Sequence, residues 1–116
     1  AYQQQGDISA ARKALQEALR LKPDFPEALY LLGNLDIATE NLSAAIGSFQ
    51  RAVDLAPGYV AARNNLANAL LLNGQIEAAI AQYRRILQER PQDRAVQENL
   101  TRALEIQSAQ SPRRPR

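Results

Sequence analysis

The side chain that recurs where this 116-residue chain could do chemistry is asparagine, at positions 34, 64, 65, 68 and 99. An amide carries two N–H donors and one carbonyl acceptor, so it can pair with the C=O and N–H of a peptide main chain whatever side chains that chain bears. Such residues recognise; they do not cleave or transfer. Groups for catalysis are thin by comparison. Cysteine and histidine are both absent, which excludes a thiolate nucleophile, a disulfide and the commonest general base and metal ligands. Ser9 and Ser43 are placed at expected starts of helices, where a hydroxyl caps backbone N–H groups. No phosphate-cradling glycine loop, nucleophile elbow, metal-spaced ligand set or carboxylate pair accompanies them. The chain reads as a non-enzymatic one, with no cofactor and no metal.

The elements that must position the asparagines show in a repeated skeleton. "AARKALQEALRLKP", "AAIGSFQRAVDLAP" and "AAIAQYRRILQERP" end at Pro23, Pro57 and Pro91, each 34 residues after the last. Apolar residues recur at helical spacing, as in Ala11, Leu15, Ala18, Leu19 and again Ala45, Phe49, Ala52, Val53, with no alternating strand pattern. Breaks are expected at Gly6-Asp7, Lys22-Pro23, Glu40-Asn41, Ala56-Pro57-Gly58, Asn73-Gly74 and Arg90-Pro91-Gln92. They predict a stub and six helices. "DFPE", Asp24 to Glu27, has the form of a capping box with proline in the first turn, so a helix should begin there. Helices ending in proline alternate with helices carrying "LLGN" or "NLAN", and a helix pair at fixed period is the signature of a solenoid in which each hairpin buries its apolar face on the next.

These residues resemble the tetratricopeptide repeat family. Residues 26 to 59 carry Leu32-Gly33, Ala45, Phe49, Ala52 and Pro57 at the family's positions, and residues 60 to 93 carry Leu66-Ala67, Leu70, Gly74, Ala79, Tyr83 and Pro91. The resemblance implies an all-α, right-handed superhelical solenoid of antiparallel helix pairs. Its register makes 1–25 a truncated repeat, 26–59 and 60–93 complete repeats, 94–110 a C-terminal capping helix and 111–116 a basic Pro/Arg tail. In the capping helix Val96, Leu100, Ala103 and Leu104 should face inward and Glu98, Arg102 and Glu105 outward. Three positions depart from the pattern: Glu40 stands where a turn glycine is usual, Asp36 where a large residue is usual, and Ile86 at the second alanine.

The first helices of such solenoids line a concave groove. The register projects Tyr30, Leu31, Asn34 and Ile37 onto it, then Asn64, Asn65, Asn68 and Leu72, then Asn99 and Arg102. This implies an interaction scaffold that takes a protein or peptide partner in the groove, amides on its main chain and apolar residues beside them. Family members that grip a C-terminal carboxylate do so with lysine, asparagine and arginine; this chain keeps Asn34 and Asn65 but has Tyr30, Ala95 and Asn99 at the basic places. An architectural or self-association module, and a regulatory domain of a larger enzyme, are the alternatives.

Charge and hydropathy bound the partner. Of 14 basic residues Arg113, Arg114 and Arg116 belong to "SPRRPR", which leaves a near-neutral body without the gathered basic face of a nucleic-acid binder. No apolar run reaches the roughly 20 residues of a membrane span, so neither membrane nor nucleic acid is an expected partner and the chain reads as soluble, with the cytoplasm favoured. The register sets Ala1 to Gly6 as the end of a first helix, which predicts self-association through the apolar face of Ile8, Ala11, Leu15 and Leu19.

Overall fold

The computed structural model describes residues 2–110, with side chains from residue 6 onward, and they form six helices: α1 (Tyr2–Leu21), α2 (Pro26–Ala38), α3 (Leu42–Leu55), α4 (Val60–Leu72), α5 (Ile76–Glu89) and α6 (Arg94–Gln110). The described residues contain no strand. The chain divides into two compact units, Ala1–Ala62 and Arg63–Arg116, and the boundary falls within α4. The expected tail lies outside the described residues.

In the first unit α1 packs on α2, and α2 packs on α3. Its buried centre is Ala28, Leu29, Ala45, Phe49, Ala52 and Val53, at the helical spacings the sequence displays. Alanines 45 and 52 are fully buried, and a side chain this small lets helix backbones approach closely. Gly33 does the same with greater stringency. A Cβ built on it would stand 2.5 Å from Phe49 Cε1, so the ring occupies the space a side chain would need. In the second unit α5 packs on α6 around Ile76, Ala79, Ile80, Tyr83, Ile86, Val96 and Ala103. Ile86, which replaces the usual alanine, is only 1% exposed. Val96 and Ala103 are buried and Leu100 and Leu104 half-buried, while Glu98, Arg102 and Glu105 are exposed, as the sequence leads one to expect for α6.

The turns repeat as closely as the helices. Asn41 N–H donates to Asp36 O and Glu40 N–H to Ile37 O; 34 residues on, Gln75 N–H donates to Leu70 O and Gly74 N–H to Leu71 O. Each pair of bonds closes a helix end with one residue in the left-handed region, the Schellman geometry. That residue is Gly74 at φ 81° in one turn and Glu40 at φ 60° in the other. The departure at Glu40 therefore leaves the turn unchanged and places an L side chain in a backbone region that disfavours it by about 1 kcal/mol. Prolines end the second helices similarly, with Ala56 N–H on Ala52 O, and Arg90 N–H on Ile86 O.

Three expectations about helix ends are corrected. There is no break at Gly6-Asp7: α1 runs through it, so Ser9 is interior and caps nothing. Nothing lies within 4 Å of a Cβ built on Gly6, so no neighbour demands a turn there. The flanking glutamines and alanines favour helix enough to carry one glycine, whose cost is about 1 kcal/mol. At α2 the start is right and the device is not. The N-cap is Phe25 with no side-chain cap bond, and Pro26 sets the first turn by its fixed φ. Asn41, not Ser43, is the N-cap residue of α3, again without a side-chain bond. The side chain that does cap is Asp93, whose Oδ1 accepts from Val96 N–H at the start of α6.

Candidate functional site

In the first unit Tyr30, Leu31, Asn34 and Ile37 share one face of α2, at the i, i+1, i+4 and i+7 positions of that helix. Leu31 is 49% and Ile37 38% exposed, whereas Tyr30 and Asn34 are half-buried. Tyr30 is held between two rings, with Phe49 at 6.1 Å between centroids and Tyr59 at 5.2 Å, the latter tilted by 44°. Aromatic pairs prefer such tilted geometry because ring edges are electropositive and faces electronegative. Sequence reasoning missed Tyr59, which follows the proline of its repeat in a loop whose direction only the turn decides.

The first unit also explains Asp36. Its carboxylate is buried, and Arg12 Nη1 from α1 donates to its Oδ1 at 2.6 Å. A second guanidinium nitrogen reaches Thr39 Oγ1 at 3.2 Å, and Thr39 Oγ1 in turn donates to Leu35 O at 3.0 Å. The acid at a position usually apolar is thus one half of an ion pair that ties α1 to α2. In sequence the only trace was a lone acid on an apolar face, and its partner lies 24 residues away. Ile8, Ala11, Leu15 and Leu19, the face expected to self-associate, are half-buried.

In the second unit Asn64, Asn65, Asn68 and Asn99 are half-buried, and Leu72 is 73% exposed. Asn68 Oδ1 accepts the Tyr83 hydroxyl in a close hydrogen bond and stands 3.5 Å from Asn99 Nδ2. Two amides from α4 and α6 are thereby brought side by side over a fully buried phenol. Because Tyr83 takes the carbonyl of Asn68, the amide is fixed in one orientation, with its N–H groups turned away from that bond. Asn68 accordingly has a structural duty that its sequence position did not reveal. Asn64 Oδ1 is buried without a hydrogen-bond partner. Arg102 is exposed beside Gln97, Glu98, Thr101 and Glu105.

Two phenols feel their surroundings. Burial pushes the Tyr83 hydroxyl above its ordinary value, opposed by the positive charge of Arg102. Burial does the same to Tyr59, and the neighbouring Tyr30 and Glu27 add to the effect by disfavouring a negative phenolate. None of these groups forms a nucleophile and base pair or a metal cluster among the described residues.

This arrangement of paired helices, buried alanines and 34-residue turns belongs to the interaction scaffolds built from helical repeats. Models of the tetratricopeptide repeat match residues 1–60 and 36–104, and the chain belongs to that family. Tetratricopeptide repeats are in general non-catalytic modules of protein interaction. Among solved structures, a mutant O-GlcNAc transferase of Thermobaculum terrenum is 36% identical over 88% of this chain with a TM-score of 0.75, and the match spans 20% of that protein. MamA is similar at 26% identity over 90% of this chain and 57% of its own, with a TM-score of 0.80. The first tetratricopeptide domain of Spaghetti (RPAP3), bound to the HSP90 peptide SRMEEVD, shares the fold at a TM-score of 0.81, with 19% identity over 92% of this chain and 87% of its own. No curated protein matches the chain. No helix among the described residues is long and apolar enough to cross a membrane.

Proposed function

We propose that this chain binds an extended segment of a protein partner on the first-helix faces of its repeats, amides pairing with the segment's main chain and apolar residues seating its side chains. The observation that carries the reading is the pairing of Asn68 and Asn99 within the second unit, where successive first helices present amides at 3.5 Å. Leu31 and Ile37 on α2 and Leu72 on α4 supply exposed apolar area next to asparagines on the same helices. A peptide library screened against the whole chain supplies ligands, which are then titrated by calorimetry against Asn65→Ala, Asn99→Ala and the exposed second-helix control Gln50→Ala. Each lost main-chain hydrogen bond is worth about 0.5–1.5 kcal/mol, so affinity should fall several-fold in the first two variants and not in the control. Equal affinity in all of them would leave the asparagines as wetting residues and refute the reading.

The similarity to the Thermobaculum terrenum transferase favours a second role, compatible with the first: these repeats as the partner-recruiting part of a larger enzyme. Mass spectrometry of the protein isolated from its source decides it. A product carrying a glycosyltransferase domain supports this role, and one without any catalytic domain removes it.

A further inference from the structure

The first unit gathers aromatic faces and negative charge at one corner. Tyr30 and Tyr59 stand 5.2 Å apart at 44°, and fully buried Phe49 backs Tyr30 from within, so both tyrosines are held in place while remaining half-open to solvent. Glu27 lies in the first turn of α2, three residues before Tyr30 and four before Leu31, and i, i+3 and i+4 positions share a helix face. Glu27 and Tyr30 both act on the Tyr59 phenol, which fixes them within electrostatic reach of it. Leu31, half-exposed, borders the same stripe.

The unit's own cations are occupied elsewhere. Arg12 is paired with Asp36, Arg20 with Glu17, and Arg51 donates to Pro23 O. Lys22 Nζ lies 5.2 Å over the Phe25 ring, which shows a cation over an aromatic face in this same unit. Glu27 has no ion pair among the described residues.

We propose that the corner of Tyr30, Tyr59 and Glu27 is a subsite for a cationic side chain, arginine or lysine, of the bound partner segment. The positive group lies against the electronegative ring faces, the Glu27 carboxylate takes its charge, and Leu31 covers its aliphatic stem. The inference rests on the partner using the α2 face, and deepens that reading by assigning the charge of one partner residue. An acidic side chain is excluded from the corner by Glu27 and by two phenols whose ionisation it would oppose.

The test is an NMR titration of the whole chain, carrying ring-labelled tyrosine, with three capped single amino acids: Nα-acetylarginine methylamide, its uncharged analogue Nα-acetylcitrulline methylamide, and Nα-acetylglutamate methylamide. The arginine probe should move the Tyr30 and Tyr59 signals in a saturable way, and the other two should not. Glu27→Gln should weaken the arginine response roughly threefold, as for loss of one exposed charge pair, and Tyr59→Leu should abolish it at Tyr30. Equal response to citrulline, a stronger response to glutamate, or an unaltered response in Glu27→Gln overturns the proposal. These probes carry no extended main chain, so their outcome is independent of the asparagine variants: loss of peptide binding in those variants with no arginine response sinks this subsite alone, and the converse sinks the asparagine reading alone.

Discussion

Removing one partner of the Arg12–Asp36 pair should be far more damaging than removing the other. The Asp36 side chain is 3% exposed and the Arg12 side chain 29% exposed, so the carboxylate depends on the guanidinium for its only charge-bearing neighbour in the described ion pairs, whereas the guanidinium also reaches water and Thr39. Arg12→Ala leaves a buried, uncompensated carboxylate. Breaking a fully buried pair in this way costs about 3–5 kcal/mol, and the partial exposure of Arg12 reduces that to about 2–3 kcal/mol. Asp36→Leu instead restores the large apolar residue usual at this position and frees an arginine that can turn to solvent, so its effect should lie within about 1 kcal/mol of zero. The double variant Arg12→Met with Asp36→Leu should match the wild type to within about 1 kcal/mol, giving a coupling energy near 2 kcal/mol. Urea denaturation of the four proteins, followed by circular dichroism, measures the cycle. Because the pair is shielded from solvent, the Arg12→Ala loss should persist at 1 M salt, where exposed pairs are screened over about 3 Å. A cost below about 0.5 kcal/mol for Arg12→Ala, or an Asp36→Leu variant equally destabilised, would refute the reasoning.

Gly33→Ala should destabilise the first unit by at least about 1–3 kcal/mol, because its Cβ would meet Phe49 Cε1, Cδ1 and Cζ at 2.5, 2.7 and 2.8 Å and the fully buried ring has nowhere to move; thermal melts of this variant and of the exposed control Gly47→Ala check it. Glu40→Gly should raise stability by about 0.5–1 kcal/mol by relieving the left-handed backbone, net of glycine's greater freedom when unfolded, while Gly74→Ala at φ 81° should lower it by a comparable amount. Both are read from denaturant midpoints. Tyr83→Phe should cost about 1 kcal/mol through the lost bond to Asn68. With the Tyr83 hydroxyl raised in the fold, its contribution is fully present below the unfolded value near 10 and lost as pH rises through the folded value, so stability should fall above about pH 10 less steeply in Tyr83→Phe than in the wild type.

The periodicity of Ala45, Phe49 and Ala52, repeated as Ala79 and Tyr83 and punctuated by prolines 34 residues apart, determined the helix pairs and the family without any coordinates. It could do so because each of those residues is constrained locally, by helical spacing and by the size that a crossing allows. The same locality misled at Gly6 and Ser9, where turn-forming and capping residue types were present and no tertiary neighbour called for a turn. The recurrence of asparagine was visible too, as composition at a register, yet nothing in it distinguished Asn68, whose carbonyl serves Tyr83, from Asn99 beside it. Asp36 looked like a flaw in the pattern until Arg12 was seen to reach it from another helix. Tyr59 looked like a loop residue until its ring met Tyr30. Contacts of this kind join residues 24 to 31 positions apart through side-chain directions that the folded backbone alone sets, and a one-dimensional pattern of polarity carries no information about which polar group will find which.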